Sequence, residues 1–346
     1  MPSEEVSGIK KAAGEYASWA LKARREYYRL RLRQDPAIRK LYRNAIKKIA
    51  DLLRSGRASG IFSRNASGLL KERSYRWLLA NLEDEANALG VKLDLYLAEW
   101  LADSVRYGSA YSYNISLKLF EAADWPKSIS RTGIEKLFGQ VNRDAVEAIY
   151  ARSKDGLFLS DRIWQKGQLI REPITDIIQT SVAIGQDAVE TARALEQYVE
   201  RGAKTLTKNY PNMMKRMQGR IPSDLSYEAL RLARTETTSA FGEGTILGAS
   251  ANPFYNGIQW VLSASHPEPD ICDDLASHVT DGMPPGVYPP GQEPRYPAHP
   301  NELCALVPIM EASDSALQEI LNWVDDPKSS DKIETWYQKT YLSNAL

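Results

Sequence analysis

The chain has 346 residues, of which 43% are hydrophobic and 25% are charged. At about 150 residues per domain, this length predicts two or three domains with cores large enough to fold without disulfides. The 44 Lys and Arg residues balance the 44 Asp and Glu residues, so the formal net charge is zero. This balance excludes a uniformly basic nucleic-acid coat protein and an acidic solvating tail, but it permits local clusters of charge.

The first residues and the apolar segments predict a protein without a signal peptide or a membrane span. The opening run Met-Pro-Ser-Glu-Glu-Val-Ser-Gly lacks the basic and apolar segments of a secretory signal. No window approaches the roughly 18 continuous apolar residues that a membrane-spanning helix needs. Two cysteines in 346 residues are typical of a reducing compartment. We therefore expect a soluble cytosolic protein that makes no membrane contact.

Apolar periodicity predicts helices throughout residues 1–125. Asp35 followed by Pro36 is typical of a helix N-cap and first helical position, and predicts that a helix begins there. Beyond them, apolar residues recur at steps of three and four and predict one buried helix face: Ile38, Leu41, Tyr42, Ala45, Ile49, Leu52 and Leu53. Trp125 precedes a proline and therefore predicts the end of this region, because such a residue avoids the helical conformation.

A second helical region is predicted for residues 126–250. Amphipathic patterns indicate helices over 133–152 and within 161–198, whereas the polar, proline-containing stretch 208–222 predicts a loop. Ser223 or Asp224 is placed to cap the helix that follows. In that helix Gly242, Gly244 and Gly248 lack the spacing of a dinucleotide-binding loop, and no strand precedes them. They therefore predict close helix packing.

The composition changes at residue 251. The run 258–262 follows an Asn-Gly turn dipeptide and is typical of a short strand. Seven prolines and three glycines between 281 and 300 exclude a helix there. Residues 313–323 and 332–341 are typical of terminal helices, within a stretch, 302–346, that has eight acidic and three basic residues.

These patterns together predict a mainly α protein. We expect an elongated multi-helix N-terminal region, made of residues 1–125 and 126–250, followed by a small α+β domain rich in Pro/Gly loops at 251–312. Acidic helices at 313–346 would complete the chain.

All the histidines and cysteines of the chain fall between residues 266 and 304. They are His266, Cys272, His278, His299 and Cys304. Zinc favours four tetrahedral ligands from thiolate, imidazole and carboxylate groups. The two cysteines and two of the three histidines would satisfy this preference, and a bound zinc would also order the proline-rich segment. The set that we predict for a structural zinc site is Cys272, Cys304, His299 and His266. The spacing matches no common zinc finger, and two buried thiols or a disulfide are the alternatives.

Positive charge is concentrated between residues 22 and 57. Thirteen Lys or Arg and three Asp or Glu give this stretch a net charge of +10. A basic helical surface of this density can neutralise several phosphates. The predicted nucleic-acid or partner-binding residues are Arg29, Arg31, Arg33, Lys40, Arg43 and Lys47. The alternatives are a solvated helix face and a face that docks on an acidic partner.

Motifs of common enzyme classes are absent from the sequence. It has no G-x-x-x-x-G-K-[ST], H-E-x-x-H or G-x-S-x-G, so we do not expect an enzyme. Arg234 and Glu236 lie on the helix that leads into the His/Cys segment. Such a pair more often anchors neighbouring loops by charge-assisted hydrogen bonds than it catalyses a reaction, so we predict structural anchors.

Three segments resemble the phage head morphogenesis proteins, the minor head proteins similar to protein F of phage Mu. They are YEALRLARTET at 227–237, HPEPDICD at 266–273 and YPAHPN at 296–301. The family pattern has an Arg-Thr-Glu helix, a tryptophan strand, an Asp-x-Cys element, a Gly/Pro loop and a terminal His-Pro-x-Cys-x-Cys. In this chain the corresponding residues follow in that order: Trp260, Asp270, Cys272, Gly286, His299, Pro300 and Cys304.

The resemblance covers residues 225–306 and has two departures. Glu302 stands where the family has the first cysteine after His-Pro-Asn, and Leu275 stands at the second cysteine of the Asp-x-Cys-x-x-Cys variant. Asp270, Asp273 or Glu302 can substitute as a harder, carboxylate ligand. We assign Asp270 a structural anchoring role beside Arg234 and Glu236.

The resemblance implies a minor capsid protein of a tailed phage or prophage. Its expected partners are the portal protein and other head proteins, with double-stranded DNA as a further partner during packaging or ejection. Its expected location is the virion, and the host cytoplasm during assembly.

Two other functions stay open at this stage. A metal-dependent hydrolase or nuclease would use His266, Asp270, Cys272, His299 and Glu302 around an activated water. A plain DNA-binding module would use the basic stretch alone.

Overall fold

The computed structural model describes residues 3–58, 72–126, 128–184, 186–217, 219–263, 269–280 and 282–345. Helices occupy most of these residues: α1 Ser3–Ala13, α2 Ala17–Ala58, α3 Glu72–Ala122, α4 Arg131–Ala151, α5 Leu159–Gln168, α6 Arg171–Ala183, α7 Ala188–Arg201, α8 Ala203–Asn209, α9 Pro211–Met217, α10 Tyr227–Ser250, α11 Ile271–Ser277, α12 Ser313–Asp325, α13 Asp331–Trp336 and α14 Leu342–Ala345. The strands are β1 Tyr255–Val261, β2 Val287–Tyr288 and β3 Ala305–Met310. The predicted fold class, mainly α with a small α+β region, is confirmed.

The chain divides by contact into two compact units that are each discontinuous in sequence. Unit 1 contains residues 1–31, 99–152 and 234–346, and unit 2 contains residues 32–98 and 153–233. The four regions predicted from the sequence, 1–125, 126–250, 251–312 and 313–346, are each continuous along the chain. Their boundaries stay a prediction.

The sheet of unit 1 is antiparallel, with the strand order β2-β1-β3. Trp260 of β1 pairs with Leu306 of β3, and Gln259 of β1 pairs with Val287 of β2. One side of the sheet region is an apolar cluster of Ala249, Tyr255, Ile258, Trp260, Cys272, Tyr288, Tyr296, Cys304 and Leu306. Both cysteines therefore belong to a hydrophobic core.

Helix α10 crosses α3 in unit 1 at glycine positions. A Cβ atom on Gly244 would lie 2.2 Å from the carbonyl oxygen of Val105, and one on Gly248 would lie 2.9 Å from the Cα of Ser109. The backbone of α3 therefore leaves no room for a side chain at either position. The prediction of close helix packing at Gly244 and Gly248 is confirmed.

Replacing Gly244 by alanine should lower the free energy of unfolding by about 1–3 kcal/mol, because the added methyl group overpacks the α3–α10 contact. Gly139 on α4 is the matched control. Its Cβ would meet only the flexible Arg143 side chain, at 3.8 Å. Gly139→Ala should raise the free energy of unfolding by about 0.5–1 kcal/mol through helix propensity. Urea denaturation of both variants measures the difference, and equal effects would contradict the packing.

Unit 2 buries long apolar faces of its helices. The predicted face of α2 is buried at Ile38, Leu41, Tyr42, Ala45, Ile49 and Leu53. On α3, buried leucines recur at steps of four and seven: Leu78, Leu82, Leu89, Leu93 and Leu97. Helix α5 approaches α3 closely, since a Cβ on Gly167 would lie 2.7 Å from the Cα of Gly90.

Two local predictions are wrong. Helix α2 runs without a break through Pro36, so no helix begins at Asp35. The proline costs about 3 kcal/mol inside a helix, but buried apolar residues on both sides of it, such as Leu30 and Ile38, outweigh that cost. The stretch 208–222 contains α9 rather than a continuous loop, because Met213 and Met217, one helical turn apart, are both fully buried.

Among the described residues, no helix is both long enough and apolar enough to cross a membrane.

Candidate metal centre

Five side chains of unit 1 meet where α11 faces the loop that leads into β3. Asp270 and Cys272 lie at the beginning of α11, His299 and Glu302 lie in the loop after β2, and Cys304 directly precedes β3. We call this set the candidate metal centre: Asp270, Cys272, His299, Glu302 and Cys304.

The beginning of α11 fixes the positions of Asp270 and Cys272. Asp270 is the N-cap, and its Oδ1 accepts a hydrogen bond from the backbone N–H of Cys272 at 2.7 Å. Asp273 completes a capping box, since its Oδ2 accepts from the backbone N–H of Asp270 at 2.9 Å. The local sequence Asp-Ile-Cys-Asp therefore turns the Cys272 side chain in a defined direction.

Three donor atoms form a nearly equilateral triangle. Cys272 Sγ lies 3.3 Å from His299 Nε2 and 3.1 Å from Glu302 Oε2, and the latter two atoms lie 3.3 Å apart. A tetrahedron of ligands about 2.0–2.3 Å from a zinc ion has edges of about 3.3–3.8 Å. The triangle therefore has nearly the size of one face of a zinc coordination tetrahedron.

Two further atoms flank this triangle. Cys304 Sγ lies within 4.8 Å of the Cys272 and Glu302 donor atoms. On the other side, Asp270 Oδ2 lies 3.3 Å from His299 Nε2. Cys272, Glu302 and Cys304 are buried, whereas Asp270 and His299 are partly exposed. The centre thus extends from the core to the surface.

Glu302 carries a carboxylate that is fully removed from solvent. Its Oε1 accepts hydrogen bonds from the backbone N–H groups of Leu303 at 2.9 Å and Cys304 at 2.7 Å. Its Oε2 faces the Cys272 thiol and the His299 ring instead. A buried carboxylate is costly unless it is paired or coordinates a metal, so this oxygen has the surroundings of a ligand.

The thiols are protonated in the metal-free protein. Burial, and then the neighbouring Glu302 carboxylate, raise the pKa of the Cys272 thiol far above its usual range. Burial raises the pKa of Cys304 to about 12, although a hydrogen bond from the Ser263 N–H acts in the opposite direction. A bound cation would reverse this effect, because a coordinating thiol is deprotonated outright.

His299 directs one ring nitrogen, Nε2, into the cluster. Its Nδ1 lies 3.0 Å from the carbonyl oxygen of Pro300, which can only accept a hydrogen bond. In the tautomer that a metal would bind, Nδ1 donates to this carbonyl and Nε2 carries the free lone pair that faces the cluster. A backbone carbonyl that orients the ring in this way is a common support of metal-ligating histidines.

The donor set fits zinc. It combines two thiols, an imidazole nitrogen and carboxylate oxygens, the ligand types that zinc accepts. The same geometry argues against Cys272 as a nucleophile paired with His299. Reactive cysteines have a lowered pKa and solvent access, and Cys272 has neither.

Two arginines of α2 support the loop that carries Glu302 and Cys304. The buried Arg24 donates from Nε to Glu5 Oε1 at 2.8 Å, and its Nη2 donates to the carbonyl oxygens of Leu303 and Cys304. Arg31 donates from Nη1 to Tyr27 Oη and Thr238 Oγ1, each at 3.1 Å, and to the carbonyl oxygen of Glu302 at 3.5 Å.

This support is not visible in the sequence. Arg24 is counted there with the basic surface, and neither Glu5 nor the hydrogen bond from Tyr296 Oη to the Cys304 carbonyl is anticipated. Glu5 lies 19 residues before Arg24, and Leu303 lies 279 residues after it. A charge pattern read along the chain carries no signal for pairs at such separations.

Among the described residues, neither His278 nor the predicted anchor Glu236 belongs to the candidate metal centre. His266 is outside the described residues, and His278 stacks on Tyr288 with ring centroids 5.2 Å apart. Glu236 is buried on α10, and both Arg234 and Glu236 take part in interactions within the fold. Their anchoring role stays a prediction.

The predicted nucleic-acid or partner-binding residues separate into two groups. Arg29 pairs with Glu26 at 2.5 Å, Arg43 pairs with Glu200 at 3.4 Å, and Arg31 belongs to the loop support. Arg33, Lys40 and Lys47 are exposed, and no carboxylate of the described chain lies within ion-pair distance of them.

The fold and the site together define a mainly α protein whose small antiparallel sheet borders a candidate His/Cys/carboxylate metal centre. Comparison of the chain with protein-family models, with curated proteins and with solved structures found no match.

Proposed function

We propose that the protein is a minor head protein of a tailed phage or prophage and that it acts in head morphogenesis through contacts with the portal. One observation carries the proposal. The last part of the Arg-Thr-Glu helix, the tryptophan strand, the Asp-x-Cys element and the residue before β3 contribute to the same apolar cluster. Ala249 at the end of the Arg-Thr-Glu helix, Trp260 of β1, Cys272 of α11 and Cys304 before β3 share one apolar cluster.

The candidate metal centre has a structural role in this proposal. Structural zinc sites are closed by protein ligands, whereas catalytic sites keep an open position for water. Cys272, Glu302 and Cys304 are buried, which favours the closed kind of site. When bound, zinc would link α11 to the loop before β3 and supply folding free energy to the proline-rich segment between them.

A metal-dependent hydrolase or nuclease is the second candidate. The partial exposure of His299 and Asp270 favours it, since a water ligand can reach a metal from that side. In this case His299→Ala would abolish metal-dependent cleavage of nucleic acid while the protein stays folded. DNA contact through Arg33, Lys40 and Lys47 is compatible with either candidate.

Quantitative mass spectrometry of purified virions and of portal-containing assembly intermediates tests the head-protein role. We expect the protein in both at low copy number, and we expect a phage that lacks its gene to assemble defective heads. Asp274 is exposed and lies outside the metal centre, so its variant serves as a control. Complementation with the Asp274→Asn gene should restore infectious particles, as the wild-type gene does. Absence from virions and from portal complexes would contradict the proposal.

A further inference from the structure

Helix α2 carries an exposed stripe of cations around an apolar centre. Its residues are Leu32, Arg33, Pro36, Lys40 and Lys47, which we call the basic stripe. Steps of three, four and seven residues place them on one helix face, with the three cations about 10 Å apart along the axis. Leu32 is 76% exposed, which is unusual for a leucine that has no partner outside the fold.

The cations of the basic stripe are distinct from their neighbours on α2. Arg39 pairs with Asp224 at 2.8 Å, and Lys48 pairs with Glu85 at 2.7 Å, so these charges are used within unit 2. Arg33 and Lys40 have no such carboxylate among the described residues, whereas Lys47 is close enough to Glu196 to help lower the pKa of that carboxyl. Arg33 and Lys40 are therefore available to a partner outside the chain.

The end of α12 and the beginning of α13 present the opposite combination. Leu321 is 41% exposed and Val324 is 46% exposed, and both lie on the same helix face as the exposed Asp325. With Asp326 and Asp331 they form what we call the acidic patch. Within the described chain, no cation lies at ion-pair distance from these three aspartates, and Lys328 is the single cation between them in sequence.

Charges beside the acidic patch are used internally. Lys332 pairs with Glu311 at 2.8 Å and with Glu319 at 2.6 Å, and Ser330 donates to Glu319 at 2.6 Å. The acidic patch thus resembles the basic stripe in three ways: it has an apolar centre, charges that are mostly of one sign, and neighbouring charges that already have partners.

We propose that the basic stripe of one copy docks on the acidic patch of a second copy. The two surfaces match in having exposed apolar centres and differ in the sign of their charges, which provides both burial and electrostatic complementarity. A chain with 44 positive and 44 negative residues has no net repulsion between copies. The contact joins unlike surfaces, so repeated association builds a closed ring or an open chain. The inference goes beyond the head-protein role and does not depend on it.

A protein partner fits the basic stripe better than nucleic acid does. A phosphate backbone offers no apolar surface to Leu32 and Pro36, whereas Leu321 and Val324 of a second copy do. DNA contact at the stripe is therefore an outcome that would count against the proposal.

Sedimentation velocity of the full-length protein at low and high salt tests the contact. Wild type should self-associate at micromolar concentration in low salt, and the association should weaken as salt rises. Two double variants each reverse one surface: Arg33→Glu with Lys40→Glu, and Asp325→Lys with Asp331→Lys. Each alone should raise the dissociation constant at least about tenfold, because like charges then face each other.

Mixing these two variants distinguishes the proposed pairing from a general loss of association. Each variant retains one native surface that complements its partner, so an equimolar mixture should associate again. Lys92→Glu with Lys208→Glu is the matched control, since it reverses two exposed lysines outside both surfaces and should self-associate as wild type does. Circular dichroism establishes that all variants are folded.

Three results would overturn the proposal. The first is a wild-type protein that stays monomeric at low salt. The second is association of the reversal variants at the wild-type level, and the third is a mixture of these variants that does not associate. Salt-dependent binding of a DNA duplex that is lost in Arg33→Glu with Lys40→Glu, without self-association of wild type, would assign the stripe to nucleic acid instead.

Discussion

Replacing Arg24 by methionine is expected to lower the free energy of unfolding by about 3–5 kcal/mol, the cost of breaking a buried ion pair from one side. Arg24 and Glu5 are both buried, and their side chains meet at 2.8 Å. The variant would leave the Glu5 carboxylate without its cation and would remove the Arg24 donor from the carbonyl oxygens of Leu303 and Cys304, the second of which keeps the hydrogen bond from Tyr296 Oη. Urea denaturation followed by circular dichroism measures the loss.

The neighbouring Arg25 provides the control for this prediction. It is exposed on the same helix, so Arg25→Met should change the free energy of unfolding by no more than about 0.5 kcal/mol. Combining Glu5→Gln with Arg24→Met should cost less than the sum of the single changes, because each alone strands its partner. Equal effects of Arg24→Met and Arg25→Met would show that the ion pair does not hold the loop.

Zinc is expected to stabilise the protein by about 4 kcal/mol at a free concentration roughly one thousand times its dissociation constant. Binding would replace the thiol protons of Cys272 and Cys304 with a cation and would compensate the buried Glu302 carboxylate. Thermal unfolding, measured once with zinc and once with a chelator, gives the stabilisation that zinc provides. The zinc-dependent shift should be smaller at acidic pH, where protons compete for the ligands.

Two histidine variants make this prediction specific. His299→Ala removes a donor atom at the centre of the cluster and should abolish most of the zinc-dependent stabilisation. His278→Ala removes a ring that stacks on Tyr288 outside the cluster and should leave that stabilisation in place. If zinc stabilises both variants equally, the ion binds at another position.

The helices were largely predictable because their signal is local. The apolar face from Ile38 to Leu53 recurs with the helical period, and all its members but one are buried. The exclusion of a helix between residues 281 and 300 followed from proline chemistry in the same way. The continuity of α2 through Pro36 was not predictable, because it depends on tertiary burial that outweighs a local breaker.

The composition of the site was predictable in part. The concentration of His and Cys pointed to Cys272, His299 and Cys304, and these three lie in the same cluster. Glu302 was not among the four predicted zinc ligands and appeared as a substitute carboxylate and in the alternative hydrolase set, although its carboxylate lies beside both thiols and the histidine. The burial of Arg24 was hidden, because a high local density of positive charge does not show which cation turns inward.

Metal content of the full-length protein, measured by mass spectrometry after zinc loading and dialysis, tests the candidate metal centre most directly. We predict about one zinc per chain in the wild type. Cys304→Ser should lose most of it, because one of the two thiolate ligands would be removed and only Cys272, His299 and the carboxylates would remain. Wild-type protein that retains no more zinc than the Cys304→Ser variant would contradict a metal site at these residues.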